Sequence, residues 1–233
     1  MKLSVIVPVY NEAQTIGEVV ERIRSVDIGD IEKQIIIAND GSDDGTGTAI
    51  DESVWRTDVR VCVHAHAINL GKGAAIRLGL KYATGDIVLV QDADLELDPN
   101  EYGALLAPLL DGRADVVYGS RFLEKRNAIS FRTRAANRFL TWTTNLVFGS
   151  RLTDMETGYK VFRREALKGI TLRSVGFDFE PEITAKLLLA GRRILEVAIG
   201  YHPRGADQGK KIKWIDGVDA LYTLIKYRLT GGK

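Results

Sequence analysis

An unbroken apolar run, Leu3–Val9, stops at Tyr10-Asn11-Glu12. A short, β-branched run bounded by polar residues predicts a strand buried on both faces. Next, Ala13–Val26 places Ile16, Val19, Val20 and Ile23 on one face at helical spacing, which predicts an amphipathic helix. The two rhythms then alternate. Strands are predicted at Gln34–Ala38, Val59–His64, Asp86–Val90 and Ala114–Tyr118, with helices at Asp43–Val54 and Lys72–Tyr82 between them. The later half is less regular: a helix at Phe131–Phe148, a strand at Gly158–Phe162, a helix at Glu182–Leu189, a strand at Ile194–Tyr201 and a final helix at Trp214–Leu229. Leu123–Ser130 and Pro203–Lys213 are polar and rich in glycine or charge, and read as mobile loops.

This βαβα order predicts an α/β fold with a mostly parallel central sheet and helices on both faces. Ligands of such sheets sit beyond the carboxyl ends of the strands. The polar segments that follow four of the strands, Tyr10–Glu12, Asn39–Ser42, His64–Asn69 and Gln91–Asp94, then converge on one crevice. With no repeat, low-complexity tract or separating linker, one domain over residues 1–233 is expected.

Composition narrows the partners. The apolar share of 45% and charged share of 27% are those of a globular protein, and a net charge of +1 gives no field that would draw nucleic acid. Cys62 is the single cysteine, so no internal disulfide forms, which is compatible with a reducing cytoplasm. Leu3–Val9 is too short for a secretory signal. No apolar run approaches the ~18 residues of a membrane span, so any membrane contact is expected at the surface.

The candidate chemistry centres on Asp92-Ala93-Asp94-Leu95-Glu96-Leu97-Asp98, where acid and apolar residues alternate. If extended, four carboxylates share one face, and a hard divalent cation relieves their repulsion while bridging a diphosphate. The plainer reading is a solvated acidic loop before a helix capped at Asp98 or Asn100. Asp40–Asp51 has the spacing of a calcium loop, but Ile35–Ile37 is strand-like where that loop needs a helix, so a strand-to-helix turn with Asp40 facing the crevice is expected. Asn69–Gly73 precedes a helix whose first N–H groups could meet an anion, with Lys72 adding charge, although capping explains it equally well. His64 and His66 alternate like zinc ligands, with no third ligand evident. Arg121 follows a strand, and Arg204, Lys210, Lys211 and Lys213 cluster near the last helix, as solvated cations or as a phosphate clamp. The helices Phe131–Phe148 and Trp214–Leu229 are aromatic and flanked by basic residues. Core packing is the default reading, and a membrane interface or lipid chain is the alternative.

Taken together, Pro8-Val9-Tyr10-Asn11-Glu12, Asn39–Ser42, Asn69–Gly73, Gln91–Asp94, Gly119-Ser120-Arg121, Asp154–Tyr159, Phe177–Glu180 and Tyr201–Arg204 resemble the inverting GT-A-fold glycosyltransferases of family 2. Within that family they are similar to the dolichol-phosphate and polyprenol-phosphate mannose or glucose synthases. The motifs run in the family's order over nearly the whole chain. The resemblance implies a donor half over about 1–98 and an acceptor half over about 99–233 ending in an amphipathic helix. It implies that Pro8, Tyr10 and Glu12 line a nucleoside pocket, that Asp40 meets the base and that Lys72 lies near the nucleotide. Asp92 and Asp94, with Glu96 at a further ligand position, would hold Mg²⁺ or Mn²⁺ on the diphosphate. Arg121, with Arg132 or Arg134, would face the acceptor phosphate, and Arg204 with Lys210 or Lys211 would clamp the donor. Catalysis would rest on Asp94, Arg121 and Arg204.

Two positions depart from the family pattern: Asn39 stands where an Asp is usual, and Glu96 where close relatives often carry Gln. The implied reaction moves a hexose from a GDP- or UDP-sugar to a polyprenyl or dolichyl phosphate at the cytoplasmic face of a membrane. A hydroxyl acceptor would instead need a base, for which Asp178 and Glu180 are the candidates. A nucleotide-sugar-binding scaffold without activity is a third reading.

Overall fold

The computed structural model describes residues 1–204 and 214–232. Seven strands form one sheet: β1 (Lys2–Val9), β2 (Glu32–Asn39), β3 (Val61–Ala65), β4 (Ile87–Val90), β5 (Val116–Ser120), β6 (Lys160–Arg163) and β7 (Ile194–Ala198). Their order is β3-β2-β1-β4-β6-β5-β7. β1 pairs in parallel with β2 and β4, β2 with β3, and β5 with β7, whereas β6 runs antiparallel between β4 and β5. The helices are α1 (Ile16–Ser25), α2 (Thr46–Asp51), α3 (Lys72–Tyr82), α4 (Tyr102–Leu110), α5 (Phe131–Phe148), α6 (Phe179–Leu189) and α7 (Trp214–Thr230).

The pleat of β1 explains why its run is apolar throughout. Leu3, Val5, Val7 and Val9 enter one core layer with Ile16, Val19, Val20 and Ile23 of α1. Ile6 points the other way, against Ile76 of α3 and Phe179 and Ile183 of α6. A third, smaller cluster joins Leu140 of α5, Ala185 of α6 and Ala220 and Leu224 of α7.

Every strand expected from the sequence is present. α4 was expected only in the plainer reading of the acidic row, as a helix capped at Asp98 or Asn100, and Asp98 does cap the 3₁₀ turn that leads into it. Its sequence, YGALLAPLL, contains Gly103 and Pro108 and has no polar face to mark a helical period. Tyr102, Leu105, Leu106 and Leu109 are nonetheless buried, so tertiary burial overrides weak local propensity. The expected helix Glu182–Leu189 begins earlier, at Phe179, which places Glu180 in its first turn and not in a loop.

Candidate active site

The crevice lies beyond the carboxyl ends of β1, β4 and β5, where the chain returns after β7 through Tyr201 and Arg204. Pro8 is buried within the sheet opposite Ala38, and Tyr10 and Glu12 follow past the strand end. Thr46 fixes the turn by accepting Glu12 N–H on its hydroxyl at 2.9 Å. Arg204 reaches across to this turn. Its Nη2 donates to Glu12 Oε2 at 2.7 Å and lies 3.9 Å from Asp94 Oδ2, and its Nε donates to the Asp94 carbonyl at 3.1 Å. Glu96 completes the knot by accepting the Arg204 backbone N–H at 3.0 Å and the Tyr201 hydroxyl at 2.9 Å.

The acidic row does not form one extended face. Leu95 adopts a positive φ of 62°, which turns the chain between Asp94 and Glu96. Asp92 instead meets Lys72 Nζ at 2.8 Å, Glu96 faces Tyr201, and Asp98 caps the short 3₁₀ turn Pro99–Glu101. Among the described residues no group of three or more His, Cys, Asp or Glu is gathered tightly enough to hold a metal. The expected set of Asp92, Asp94 and Glu96 is thus not drawn into one cluster: Asp92 meets Lys72, and Glu96 meets Tyr201 and Arg204. Asp94 still carries unresolved charge. Burial, followed by the nearby Asp92 and Glu96, pushes its carboxyl up to about 7 despite Arg204. Oxygen donors with excess negative charge suit Mg²⁺ or Mn²⁺, which are commonly held by one or two carboxylates plus substrate phosphates. Asp92 and Asp94 fit that demand.

Two further candidate positions have partners within the chain. Asp40 is buried, with 2% exposure. Its carboxylate meets His66 Nδ1 at 2.7 Å and accepts Leu70 N–H and Gly71 N–H, the latter at 2.6 Å. It therefore holds the 66–71 loop in place. The start of α3 is not open to an anion. Gly73 N–H and Ala74 N–H donate to the carbonyls of Gly176 and Val175 at 3.1 and 3.0 Å. Gly71, at φ +108°, allows this approach, since a Cβ there would strike the Val175 carbonyl. Lys72 lies beneath this contact, between Asp92 and Glu180 Oε1 at 2.9 Å. The alternating His64 and His66 form no metal site with Cys62: His64 stacks on Tyr82, and Cys62 Sγ lies against the Ile35 carbonyl.

On the β5 side, Arg121 forms a bidentate pair with the buried Asp154, Nε to Oδ2 at 2.7 Å and Nη2 to Oδ1 at 2.8 Å. That uses two of the five guanidinium donors. Arg121 also lies 5.4 Å from the centre of the Tyr201 ring, so Tyr201 joins Arg121 to Glu96. Arg134 lies 5.8 Å over the Phe122 ring, and Arg121 5.9 Å from it. Arg121 and Arg134 thus share the Phe122 ring. Arg132 is exposed and makes no hydrogen bond or ion pair among the described residues. Lys210, Lys211 and Lys213, and the side chains of Trp214 and Ile215, lie outside the described residues.

Sequence reasoning missed Glu156 and Lys160, which flank the floor of this region. The only signal was their place in and beside the quoted Asp154–Tyr159 stretch. Lys160 is buried, donates to the carbonyls of Met155 and Thr157 at 2.9 and 2.5 Å, and lies 4.4 Å over the Tyr118 ring. Glu156 Oε1 and Glu180 Oε2 are sealed from solvent without hydrogen-bond partners. Burial first, and Glu180 second, push the Glu156 carboxyl up to about 8. A carboxyl whose folded pKa is raised binds its proton more tightly in the folded state. Its contribution is fully present below the unfolded value of ~4.3 and is lost as pH rises towards 8, at up to about 1.4 kcal/mol per pH unit. Glu156→Gln is accordingly expected to flatten the fall in unfolding free energy between pH 5 and 8, as measured by urea titration at each pH. A wild-type-like slope in the variant would assign that fall to other groups.

Residues 4–171 match the family described as glycosyl transferase family 2. The chain belongs to glycosyl transferase family 2. It is 31% identical over 215 residues to polyprenol monophosphomannose synthase of Mycolicibacterium smegmatis, covering 86% of this chain and 77% of that protein. It is 27% identical over 239 residues to undecaprenyl-phosphate mannosyltransferase of Micrococcus luteus, covering 98% and 95%. Some relatives are longer: the chain spans 38% and 63% of glycosyltransferases AglD and AglJ of Haloferax volcanii. The fold is GT-A. Mannosyl-3-phosphoglycerate synthase of Rubrobacter xylanophilus superposes with a TM-score of 0.71 at 19% identity, over 100% of this chain and 76% of that one. Glucosyl-3-phosphoglycerate synthase of Mycobacterium tuberculosis, crystallised with Mn²⁺, UDP and phosphoglyceric acid, does so at 0.69 and 21%, over 99% and 78%. In this family 2 chain, the residues gathered at the crevice are thus Glu12, Lys72, Asp92, Asp94, Glu96, Arg121, Arg134, Tyr201 and Arg204.

Proposed function

We propose that this chain transfers a hexose, mannose or glucose, from a GDP- or UDP-sugar to a polyprenyl or dolichyl phosphate. The observation that carries the reading is the meeting of Arg204, Glu12 and Asp94 at one crevice, with Arg121 and Arg134 beside it across Tyr201. Residues 1–98 supply the donor side and 99–233 the acceptor side. Asp92 and Asp94 would hold a Mg²⁺ or Mn²⁺ ion, which supplies charge stabilisation to the departing diphosphate.

An acceptor phosphate is placed by the donors of Arg121 that Asp154 leaves free, and by Arg134. Its oxygen attacks the anomeric carbon in line, and the bond to the nucleoside diphosphate breaks with both electrons on the leaving oxygen. Arg204 neutralises that oxygen where charge appears. A phosphate monoester, with a second pKa of ~6, is already anionic at neutral pH and needs no base. This suits a site in which both base candidates are engaged, Glu180 by Lys72 and Asp178 by the Gly176 N–H.

The lipid class of acceptor also has support at the surface. Phe131, Phe139, Trp142 and Leu146 lie exposed along α5, and Val218, Tyr222, Ile225 and Leu229 along α7, each row at helical spacing. Exposed Arg132, Arg138, Lys226 and Arg228 accompany them. Such faces suit peripheral contact at the cytoplasmic side of a membrane. Among the described residues no helix is long and apolar enough to cross one.

The test is transfer of radiolabelled sugar from GDP-mannose or UDP-glucose to a detergent-solubilised polyprenyl phosphate, with and without Mn²⁺. Label should pass into the organic phase only with metal and with one of these donors. Transfer confined to a water-soluble hydroxyl acceptor would reject the lipid-phosphate reading and keep the enzyme. Donor binding without any transfer would favour a scaffold.

A further inference from the structure

Away from the crevice, a cavity of about 320 Å³ opens between the α5–β6 connection and the turn from α6 into β7. Gly149, Ser150, Arg151 and Leu152 form one wall, and Arg192, Arg193 and Glu196 much of the other. It lies towards the amino end of β7, whereas the crevice lies beyond the carboxyl ends of the strands.

Three arginines therefore line one cavity. None makes a side-chain hydrogen bond or an ion pair among the described residues, and Arg192 Nε is sealed from solvent without a partner. Leaving a buried donor unmade costs about 1–3 kcal/mol, more for a charged group. The lining carboxylate offsets only one of the three charges and has no free face to pair with them. Glu196 spends both oxygens on Thr153 N–H, Asp154 N–H and the Thr153 hydroxyl, at 2.7–3.0 Å. α5 and α6 both end here, at Gly149 and just before Gly191, each glycine at φ +70°. Cations at helix ends gain only about 0.3–1 kcal/mol from the dipole. If that were their whole role, the arginines would also be expected to bond the last carbonyls, and they do not.

We propose that this cavity is a second anion site that takes the phosphate of a mono- or diester, whether a lipid headgroup or a soluble metabolite. Planar guanidinium donors suit a phosphate with several acceptor oxygens. The site also backs onto the crevice. Glu196 holds the backbone of Thr153 and Asp154, and Asp154 holds Arg121. An occupant pressing on the 150–154 segment bears on the support of the acceptor arginine. The inference does not depend on the donor or acceptor proposed above.

The test titrates the full chain with inorganic phosphate at low salt, against a chloride control, and reads the melting temperature. Arg151 and Arg193 are exposed, so Arg151→Gln/Arg193→Gln should fold. It should need on the order of tenfold more phosphate for half-maximal stabilisation. A charge-matched Lys81→Gln/Arg113→Gln variant should retain the wild-type response. Sedimentation with phosphatidylcholine vesicles, with and without one-fifth phosphatidylglycerol, separates the sources. Loss of retention on the anionic vesicles in the double variant identifies a headgroup. Unchanged retention with a lost phosphate response identifies a soluble phosphate. A double variant that matches wild type in both assays overturns the site, even if glycosyl transfer is intact.

Discussion

Asp94→Asn is expected to cut sugar transfer by about 10²–10³-fold while leaving the fold as stable as before. The two effects part because Asp94 has a different standing in each. In the fold it is a liability: burial and the nearby Asp92 and Glu96 hold its carboxyl up to about 7, so its negative charge is poorly tolerated. Asparagine keeps the Oδ1 that accepts Glu96 N–H at 3.1 Å and removes the repulsion. In the proposed reaction the same charge is what recruits a divalent ion to the diphosphate, and a neutral amide recruits it poorly. Initial rates at saturating metal, set beside urea midpoints, separate the two. The chelator EDTA should mimic the variant on wild type, with activity restored by Mn²⁺. Undiminished turnover by Asp94→Asn would remove Asp94 from the chemistry. Loss of activity together with a large fall in the urea midpoint would make it a structural residue.

The chain discloses its layers more readily than its contacts. β1 and α1 are legible because each buries one local period, and the crevice position follows from the order of strands. The acidic row misleads because alternation implies an extended chain, while the left-handed turn at Leu95 is set by what Glu96 meets far along the sequence, at Tyr201 and Arg204. The partners of Asp40 are likewise distant in sequence: its oxygens meet His66 and the loop that leads into α3. The start of α3 has the pattern of an anion site, and only the fold brings the Val175 and Gly176 carbonyls onto it. α4 is hard to read because its exposed positions, Gly103, Ala104 and Leu110, are not polar, so its one-sided burial leaves no polar–apolar period in the sequence. In each case the missing partner is supplied by tertiary packing, which no local pattern records.

Lys72→Met is expected to cost about 3–5 kcal/mol of folding stability, the range found when one partner of a buried ion pair is removed. The amino group lies 2.8 Å from Asp92 Oδ1 and 2.9 Å from Glu180 Oε1, and the three side chains are 16%, 21% and 6% exposed. Burial acts to lower the lysine's pKa, but Asp92 and Glu180 outweigh it and hold Lys72 above its ordinary range. Methionine fills similar space yet leaves two carboxylates facing each other, with Glu180 Oε2 already unpartnered. Partial exposure of Asp92 places the loss towards the lower end. For a chain of this size that corresponds to a drop of roughly 6–12 °C in melting temperature. Lys72→Met/Glu180→Gln should regain much of the loss, because the second change removes one of the stranded charges. Donor affinity measured on the same variants then decides the role of Lys72. If the lysine only neutralises Asp92 and Glu180, the double variant recovers binding along with stability. If Lys72 itself touches the nucleotide, as its motif implies, stability returns and donor affinity does not. Single-variant stability equal to wild type would mean that the ion triple contributes nothing to the fold.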